Sequence, residues 1–314
     1  MKCLVTGAAG FIGGSLVKRL VNEQYTVKAL IHTTKPKNYE KKAEYINGDI
    51  TDIDSLKFIV KDVDVVFHCA AFVRDYGPKK AFFRINVEGT KNLADACQEA
   101  KIKKFIFLSH IIYEPEQKIG NYTKTKILAE NYLLDKHKKE NFPAVIIRPG
   151  NVYGPGAATW VLRPLNSIQK NRIALVDNGN GIFLHTYIDN LLDALVSVIH
   201  EPGSIGEIID VTDGDNDTTW GEYLSLLAKI AGGPPIRRNL SKNTAFFIGK
   251  SMILLHRIFS IDPWVTPMAV TIFTNQKTVS IEKAKSLLGY KPKIDFDEGM
   301  KRVENWLRKE GYIA

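Results

Sequence analysis

Short apolar runs and helical spacings alternate through the first two thirds of this chain. Lys2-Cys3-Leu4-Val5-Thr6 suits a buried strand, and Leu16, Val17, Leu20 and Val21 then recur at helical intervals. Thr26-Val27-Lys28-Ala29-Leu30-Ile31 predicts a second strand. The pattern continues with a strand over 63–69, a helix over 87–100, a strand over 105–109, a helix over 122–136 and a strand over 144–148. Such alternation predicts an α/β fold built on a doubly wound parallel sheet. The C-terminal half is less regular and predicts a smaller, mixed α/β lobe. The expected division assigns residues 1–154 plus about 184–210 to the sheet domain, and about 155–183 plus 211–314 to a substrate lobe. No internal repeat, low-complexity tract or long linker interrupts the chain.

The first strand runs directly into Gly7-Ala8-Ala9-Gly10-Phe11-Ile12-Gly13, and a helix follows. Glycines allow a tight strand-to-helix turn and close backbone approach to a phosphate. The helix start then offers free N–H groups and a positive dipole end to a pyrophosphate. The spacing is Gly-x-x-Gly-x-x-Gly, which differs from the Gly-x-Gly-x-x-Gly of many dehydrogenases. At the end of the second strand a carboxylate would bind a ribose 2′-hydroxyl and favour NAD. This chain has Ile31-His32-Thr33-Thr34-Lys35-Pro36-Lys37 there, with no carboxylate and several cations. His32 and its neighbours therefore favour NADP, whose 2′-phosphate needs positive partners.

With 314 residues and 45% hydrophobic positions, the chain can bury a large core. Its net charge of +9 is spread along the sequence, which suits solubility and anionic cofactors better than nucleic acid. Cys3, Cys69 and Cys97 lie in strand or helix patterns without metal-ligand spacing, so no metal site is expected and a reducing cytoplasm suits them. The N-terminal apolar run belongs to the glycine turn and does not read as a signal peptide. Residues 245–259 are apolar, but Lys250, His256 and Arg257 interrupt them, and they fall short of the roughly 20 residues a membrane span requires. A buried or lid helix over an apolar pocket is expected, with peripheral bilayer contact as the alternative.

Tyr122 and Lys126 stand four apart, one helical turn, which places them on one face. A phenol ordinarily titrates at about 10, and lowering that by roughly 3 units takes about 4 kcal/mol of differential stabilisation, which a fixed ammonium would supply. Taken with the glycine turn, Gly48-Asp49-Ile50, His68-Cys69-Ala70-Ala71, Asn86-Val87-Glu88-Gly89-Thr90, Ser109 and Arg148-Pro149-Gly150-Asn151-Val152-Tyr153-Gly154, the chain resembles the extended short-chain dehydrogenase/reductase superfamily over nearly its full length.

That resemblance implies a Rossmann-type NAD(P)-binding domain and a homodimer built through a bundle of helices. It implies cofactor contacts from Gly7, Ala9, Gly10, Phe11, Ile12 and Gly13, and adenine recognition by Asp49 with Ile50. Ala70 and Ala71 would let the cofactor lie against the sheet edge, and Pro149 to Val152 would pack on the nicotinamide. Tyr122 would exchange the proton, Ser109 would hold the same substrate oxygen, and Lys126 would bind the ribose and lower the Tyr122 pKa. Asn86 would support Lys126 through the helix or a water. Competing readings are Asp49 as a turn residue, Asn86 as a helix N-cap, and His110 as a packing residue. No Gly-x-Ser-x-Gly elbow accompanies Ser109, which excludes a hydrolase of that design. Two departures from the superfamily are Leu108, where a second Ser or Thr is usual, and the short stretch from Ser109 to Tyr122.

Nucleotide-sugar members need cations to clamp a diphosphate. This chain has Ile182-Phe183-Leu184-His185 where an Arg-Asp pair is usual, and only Lys277 near a second such position. The segments around Tyr187-Ile188-Asp189-Asn190 and Asp210 to Gly214 look like the 3β-hydroxysteroid dehydrogenase-like branch. Residues 245–259, with Trp160 and Trp264, would suit an apolar substrate pocket; ordinary core is the competing reading. The function this implies is interconversion of a secondary alcohol and a ketone on a largely apolar small molecule. The alternative is a nucleotide-sugar epimerase or dehydratase with tightly held NAD.

Overall fold

The computed structural model describes residues 1–36, 39–113 and 120–314; Lys37 and part of the short stretch between Ser109 and Tyr122 lie outside the described residues. Its strands are β1 (Lys2–Thr6), β2 (Thr26–Ile31), β3 (Glu44–Asn47), β4 (Val65–His68), β5 (Lys104–Leu108), β6 (Ala144–Pro149), β7 (Asn151–Tyr153), β8 (Leu175–Val176), β9 (His185–Tyr187), β10 (Ile208–Val211) and β11 (Asn239–Leu240). The helices are α1 (Phe11–Asn22), α2 (Ile53–Ile59), α3 (Lys79–Phe83), α4 (Gly89–Glu99), α5 (Asn121–Glu140), α6 (Arg163–Gln169), α7 (Ile188–His200), α8 (Trp220–Ile230), α9 (Lys242–Phe259), α10 (Pro267–Phe273), α11 (Glu282–Leu288) and α12 (Phe296–Lys309).

Seven strands form a parallel sheet in the order β10-β6-β5-β4-β1-β2-β3. The strands are apolar on both faces because helices cover both. Their period of two sorts the core. Cys3, Val5, Val65, Phe67, Ile106, Val145 and Ile147 join one cluster with α1 and α7, whereas Leu4, Val66, Phe105, Phe107, Ala144 and Ile146 join another with α2, α4 and α5. Cys3 and Cys97 are buried and Cys69 is half-buried, all three as free thiols. The chain adds β2 and β3 on one side of β1 and then returns to β4 on the other, so the order reverses between β1 and β4. A crevice at such a reversal, beyond the carboxyl ends of the strands, is where open α/β sheets bind ligands.

The C-terminal region is mixed, with the two-stranded parallel pairs β7-β9 and β8-β11 and helices α8 to α12. Its core is aromatic: Phe183 stacks on Tyr223 at 4.2 Å between centroids and lies 4.5 Å from Trp220. Residues 245–259 are helical within α9, but they are not buried as expected. Only Ala245 and Gly249 of α9 are buried. Trp264 is also on the surface, while half-buried Trp160 packs 5.3 Å from Trp220 and accepts the Tyr223 hydroxyl at its carbonyl. Neither tryptophan supports the expected pocket wall; Trp160 belongs to the core.

Candidate active site

The glycine turn is shaped by contacts that no side chain could share. Gly7 has φ +67°, in the left-handed region, and a Cβ there would lie 2.8 Å from the Ala70 nitrogen. A Cβ on Gly13 would lie 2.3 Å from the Gly7 carbonyl oxygen. The Gly10 N–H donates to Gly7 O at 2.9 Å, and α1 begins at Phe11, so its first N–H groups and positive dipole end lie at the turn. Ala9, Phe11 and Ile12 pack half-buried on the core. This cradle at the switch point fits a dinucleotide pyrophosphate.

At the other end of the crevice His32 is exposed just beyond β2, with Nε2 3.6 Å from an Asp49 carboxylate oxygen. Asp49 also accepts the Thr51 N–H at 2.8 Å. Burial works to raise the Asp49 pKa, but the Thr51 bonds and the nearby His32 and Arg84 outweigh it and hold the carboxyl below its usual range. Asp49 is thus both a turn residue and a carboxylate at the crevice rim. Buried Ile50 sits beside it and accepts the Asn92 amide at its carbonyl, 3.4 Å away.

Between these ends runs a directed hydrogen-bond chain. The Ala70 N–H donates to Thr6 Oγ1 at 3.1 Å, and Thr6 Oγ1 lies 2.8 Å from His68 Nδ1. His68 Nε2 lies 3.0 Å from Thr90 Oγ1, which donates to the Asn86 carbonyl at 2.8 Å. Because the Thr90 proton is committed to Asn86, Thr90 must accept from His68 Nε2–H, which leaves Nδ1 to accept from Thr6. Burial, and then the Lys126 charge, push His68 down to about 3, so the ring is neutral. Asn86 continues the chain with its side chain, accepting the Phe72 N–H at 2.7 Å and donating to Thr125 Oγ1 of α5 at 3.1 Å. Asn86 lies inside a π-helical turn, Arg84–Glu88, so the N-cap reading is corrected. Half-buried Ala70 and Ala71 are therefore fixed from below. The sequence pattern gives Thr6, His68, Thr90 and Thr125 no distinct role, although His68 and Thr90 lie in the His68–Ala71 and Asn86–Thr90 motifs. Their partners are set by strand order, which spacing alone does not reveal.

Ser109 leaves β5 buried, and its Oγ has no hydrogen-bond partner among the described residues. The ring of His110 lies 4.8 Å from that of Tyr122, and His110 Nε2 is 3.1 Å from Thr123 Oγ1. Burial, with Lys126 and Arg148, pushes His110 down to about 3, so it too is neutral. Lys126, one turn beyond Tyr122 on α5, is buried. Its ammonium donates to the Leu108 carbonyl at 2.5 Å and sits 3.9 Å from the centre of the Phe107 ring. Burial pushes Lys126 down to about 7 against the opposing pull of Glu130 and Cys69. Burial alone pushes the Tyr122 phenol above its ordinary range, so the expected lowering by Lys126 is not seen; the Lys126 ammonium bonds the Leu108 carbonyl.

Pro149 closes β6 with its carbonyl accepting the Ile111 N–H at 3.1 Å, and Val152 lies buried in β7 opposite Thr186. Gly150 permits this crossing, since a Cβ there would lie 2.2 Å from the Leu184 carbonyl oxygen. Phe183 and Leu184 are fully buried, so no cation is presented from that segment. Lys277 donates to the Ile112 carbonyl at 3.2 Å. Behind the segment, His185 Nδ1 is 2.7 Å from Asp213 and its Nε2 is 3.2 Å from Asp215. Asp213 also accepts from the Tyr187 N–H and from Asn190, whose side chain holds Lys293 and Ile294. An open groove of about 640 Å³, lined by Gly214, Val279, Ile281 and Lys285 among others, includes none of the glycine-turn, Tyr122 or Lys126 positions.

A glycine turn at the switch point of a parallel sheet, with Ser109, Tyr122 and Lys126 across the crevice, defines a Rossmann-type dinucleotide enzyme. Residues 3–211 match the NAD dependent epimerase/dehydratase family, and the chain belongs to it. It is an NAD(P)-dependent enzyme of the extended short-chain dehydrogenase/reductase type. Among its relatives is the sterol-4-alpha-carboxylate 3-dehydrogenase, decarboxylating, of Mus musculus, 27% identical over 328 residues that cover 96% of this chain and 90% of that one. The 2-alkyl-3-oxoalkanoate reductase of Stenotrophomonas maltophilia (strain K279a) is 27% identical over 327 residues, covering 97% of this chain and 98% of that protein. The structure of UDP-glucuronic acid 4-epimerase from Bacillus cereus in complex with NAD is similar with a TM-score of 0.77, 25% identity and 99% of each chain covered.

Proposed function

We propose that the protein interconverts a secondary alcohol and a ketone on a largely apolar small molecule, in the manner of 3β-hydroxysteroid dehydrogenases or dihydroflavonol reductases. The observation that carries this reading is the buried, unpartnered Ser109 hydroxyl beside the Tyr122 and Lys126 face of α5. An orphan buried donor costs free energy unless a ligand completes it. The Ser109 hydroxyl would hold the substrate oxygen, and Tyr122 would pass it a proton. Burial keeps the phenol protonated, which is the state required of a donor in the reductive direction. A bound nicotinamide supplies or accepts the hydride.

The residues present fit such a cofactor. The Gly7 to Gly13 cradle and the start of α1 would hold the pyrophosphate, Asp49 and Ile50 the adenine end, and Ala70 and Ala71 the sheet-edge contact. Lys126 would hold the nicotinamide ribose, with Pro149 and Val152 packing on the ring. His32 and Lys35 at the end of β2, where no carboxylate stands, favour NADP over NAD. We place the substrate against the lobe of residues 155–183 and 211–314.

The alternative, a nucleotide-sugar epimerase or dehydratase with tightly held NAD, has the structural likeness to the Bacillus cereus epimerase in its favour. Against it stands the buried Phe183 where a cation is usual, with Lys277 alone near the second such position, which leaves a diphosphate poorly paired. The purified protein should bind NADPH more tightly than NADH and reduce apolar ketones. Tyr122→Phe should lower turnover by about 10³-fold with cofactor affinity nearly unchanged. Unchanged turnover in that variant would overturn the mechanism. NAD that co-purifies, with no net redox change on turnover of a nucleotide sugar, would select the epimerase reading.

A further inference from the structure

The helix α9 is inside out for a water-facing helix. Phe247, Leu254 and Ile258 fall on one stripe, seven and then four residues apart, and with Phe259, Ile261 and Trp264 they are between 50% and 73% exposed. The opposite stripe holds the small residues Ala245 and Gly249. A Cβ on Gly249 would lie 3.0 Å from the Pro267 nitrogen at the start of α10, so the helix is seated through its small side and turns its large apolar side outward. This seating cannot be exchanged for the reverse without forcing α10 away.

Charge completes the pattern. The helix contains Lys242, Lys250, His256 and Arg257 and no acidic residue. On the helical wheel Lys250 and Arg257, seven apart, run along one flank of the apolar stripe. The segment leaving β4 docks at the end of α9, with the Tyr76 ring 4.7 Å from His256 and its hydroxyl donating to Asp262 at 2.9 Å. That segment adds exposed Val73, Arg74, Lys79 and Lys80. The acids nearby are few among the described residues: Asp177 accepts the Lys242 N–H at the start of α9, Asp262 faces Tyr76 and His256, and Asp75 faces Thr266 and Arg163. No helix among the described residues is long and apolar enough to cross a membrane.

We propose that the outward face of α9, continued by Phe259, Ile261 and Trp264, docks on an anionic lipid surface. An apolar stripe flanked by cations lies in the plane of a bilayer interface, with the stripe in the acyl boundary and the cations at the headgroups. Tryptophan beside it is the side chain that settles at that depth. The surface adjoins the candidate site, because the segment carrying Tyr76 begins at Ala70 and Ala71 and is pinned by Asn86 at Phe72. An apolar ketone dissolved in the bilayer would reach the site from this side; this last clause rests on the proposed oxidoreductase activity, and the docking itself does not.

Flotation of the full chain with vesicles tests the docking without any turnover, so failure here and failure of the catalytic reading are separately visible. The wild type should float with phosphatidylcholine vesicles containing phosphatidylglycerol, and far less with phosphatidylcholine alone. Leu254→Gln with Ile258→Gln should lower the bound fraction about tenfold or more at matched lipid. Lys250→Gln with Arg257→Gln should weaken binding several-fold and remove its salt sensitivity. All these side chains are exposed, so both variants should keep the wild-type Tm and NADPH affinity. Wild-type protein that stays unbound with both vesicles, or a Leu254/Ile258 variant that floats as well as the wild type, overturns the proposal. So does a wild-type dimer in sedimentation that this variant converts to monomer, which would assign the face to a second copy of the chain.

Discussion

His68 and His185 are almost equally buried, at 0% and 1% exposure, yet hydroxyls hold the first and carboxylates the second. His68 sits in the sheet between Thr6 and Thr90, neutral, passing a directed set of hydrogen bonds from Ala70 to Asn86. His185 opens β9 of the small β7-β9 pair, between Asp213 and Asp215. Burial works against its charge, but the bonds to Asp213 and Asp215 outweigh that and raise its pKa. The contrast teaches what each place requires. A cofactor crevice needs backbone held in one position without a net charge behind a bound anion, and neutral relays provide it. The C-terminal region must clasp β9, the 213–215 loop and the Lys293–Ile294 segment together, and an ionic cluster with several acceptors does that.

Breaking the ionic side should have the largest effect. Asp213→Ala removes the acceptor of the Tyr187 N–H, the Asn190 amide and His185 Nδ1 and leaves these buried groups unpartnered, at a cost of about 3–5 kcal/mol. The Tm should fall by about 5–8 °C in calorimetry; a fall within error would collapse the contrast. Lys126 sharpens it from the other side, as a cation buried in the neutral half without a carboxylate bond. Its pKa of about 7 lies below the ordinary 10.5, so between these values the unfolded chain holds a proton that the folded chain has released. Stability therefore rises with pH across that window, and the penalty is complete below about 7. Lys126→Met should raise the Tm by about 5 °C at low pH, with the gain shrinking as pH approaches the ordinary lysine value, while activity is lost. A pH-independent gain would place the effect elsewhere.

The smallest change is expected from His68→Leu, which leaves the Thr6 and Thr90 hydroxyls short of a partner at about 1–2 kcal/mol. Between the ordinary 6.5 and the folded value of about 3, the unfolded chain binds the extra proton, so wild-type His68 makes the fold lose stability as pH drops through that range. The variant should show a shallower acid transition by circular dichroism and weaker NADPH binding. His185 runs the other way: its contribution is complete below about 6.5 and is lost as pH rises through its raised folded value. An equally steep acid slope in the His68 variant would remove His68 from the account.

The long elements of the sheet were legible because strands buried on both faces and helices with one apolar face leave periods that survive without tertiary knowledge. β3 and β10 were not, since four residues such as Glu44–Asn47 acquire strand character only by pairing with β2, and Ile208–Val211 only by pairing with β6. Chemistry was legible where a covalent spacing carries it, as in Gly7 to Gly13 and the turn from Tyr122 to Lys126. It was hidden where a pair is made by folding, as between His68 and Thr90 or His185 and Asp213. The helix at 245–259 shows the difference within one segment. Its periodicity is in the sequence, but the side that faces solvent was decided by Gly249 fitting against Pro267.

The three thiols have a practical consequence. Burial pushes Cys3 and Cys69 up to about 12 and raises Cys97 further, so little thiolate is present at neutral pH and the folded chain alkylates slowly. Cys3 belongs to the core on one face of the sheet and Cys97 to the core on the other. In a rising denaturant, pulsed alkylation followed by mass spectrometry would therefore time the opening of the two faces as separate events, using labels the chain already carries.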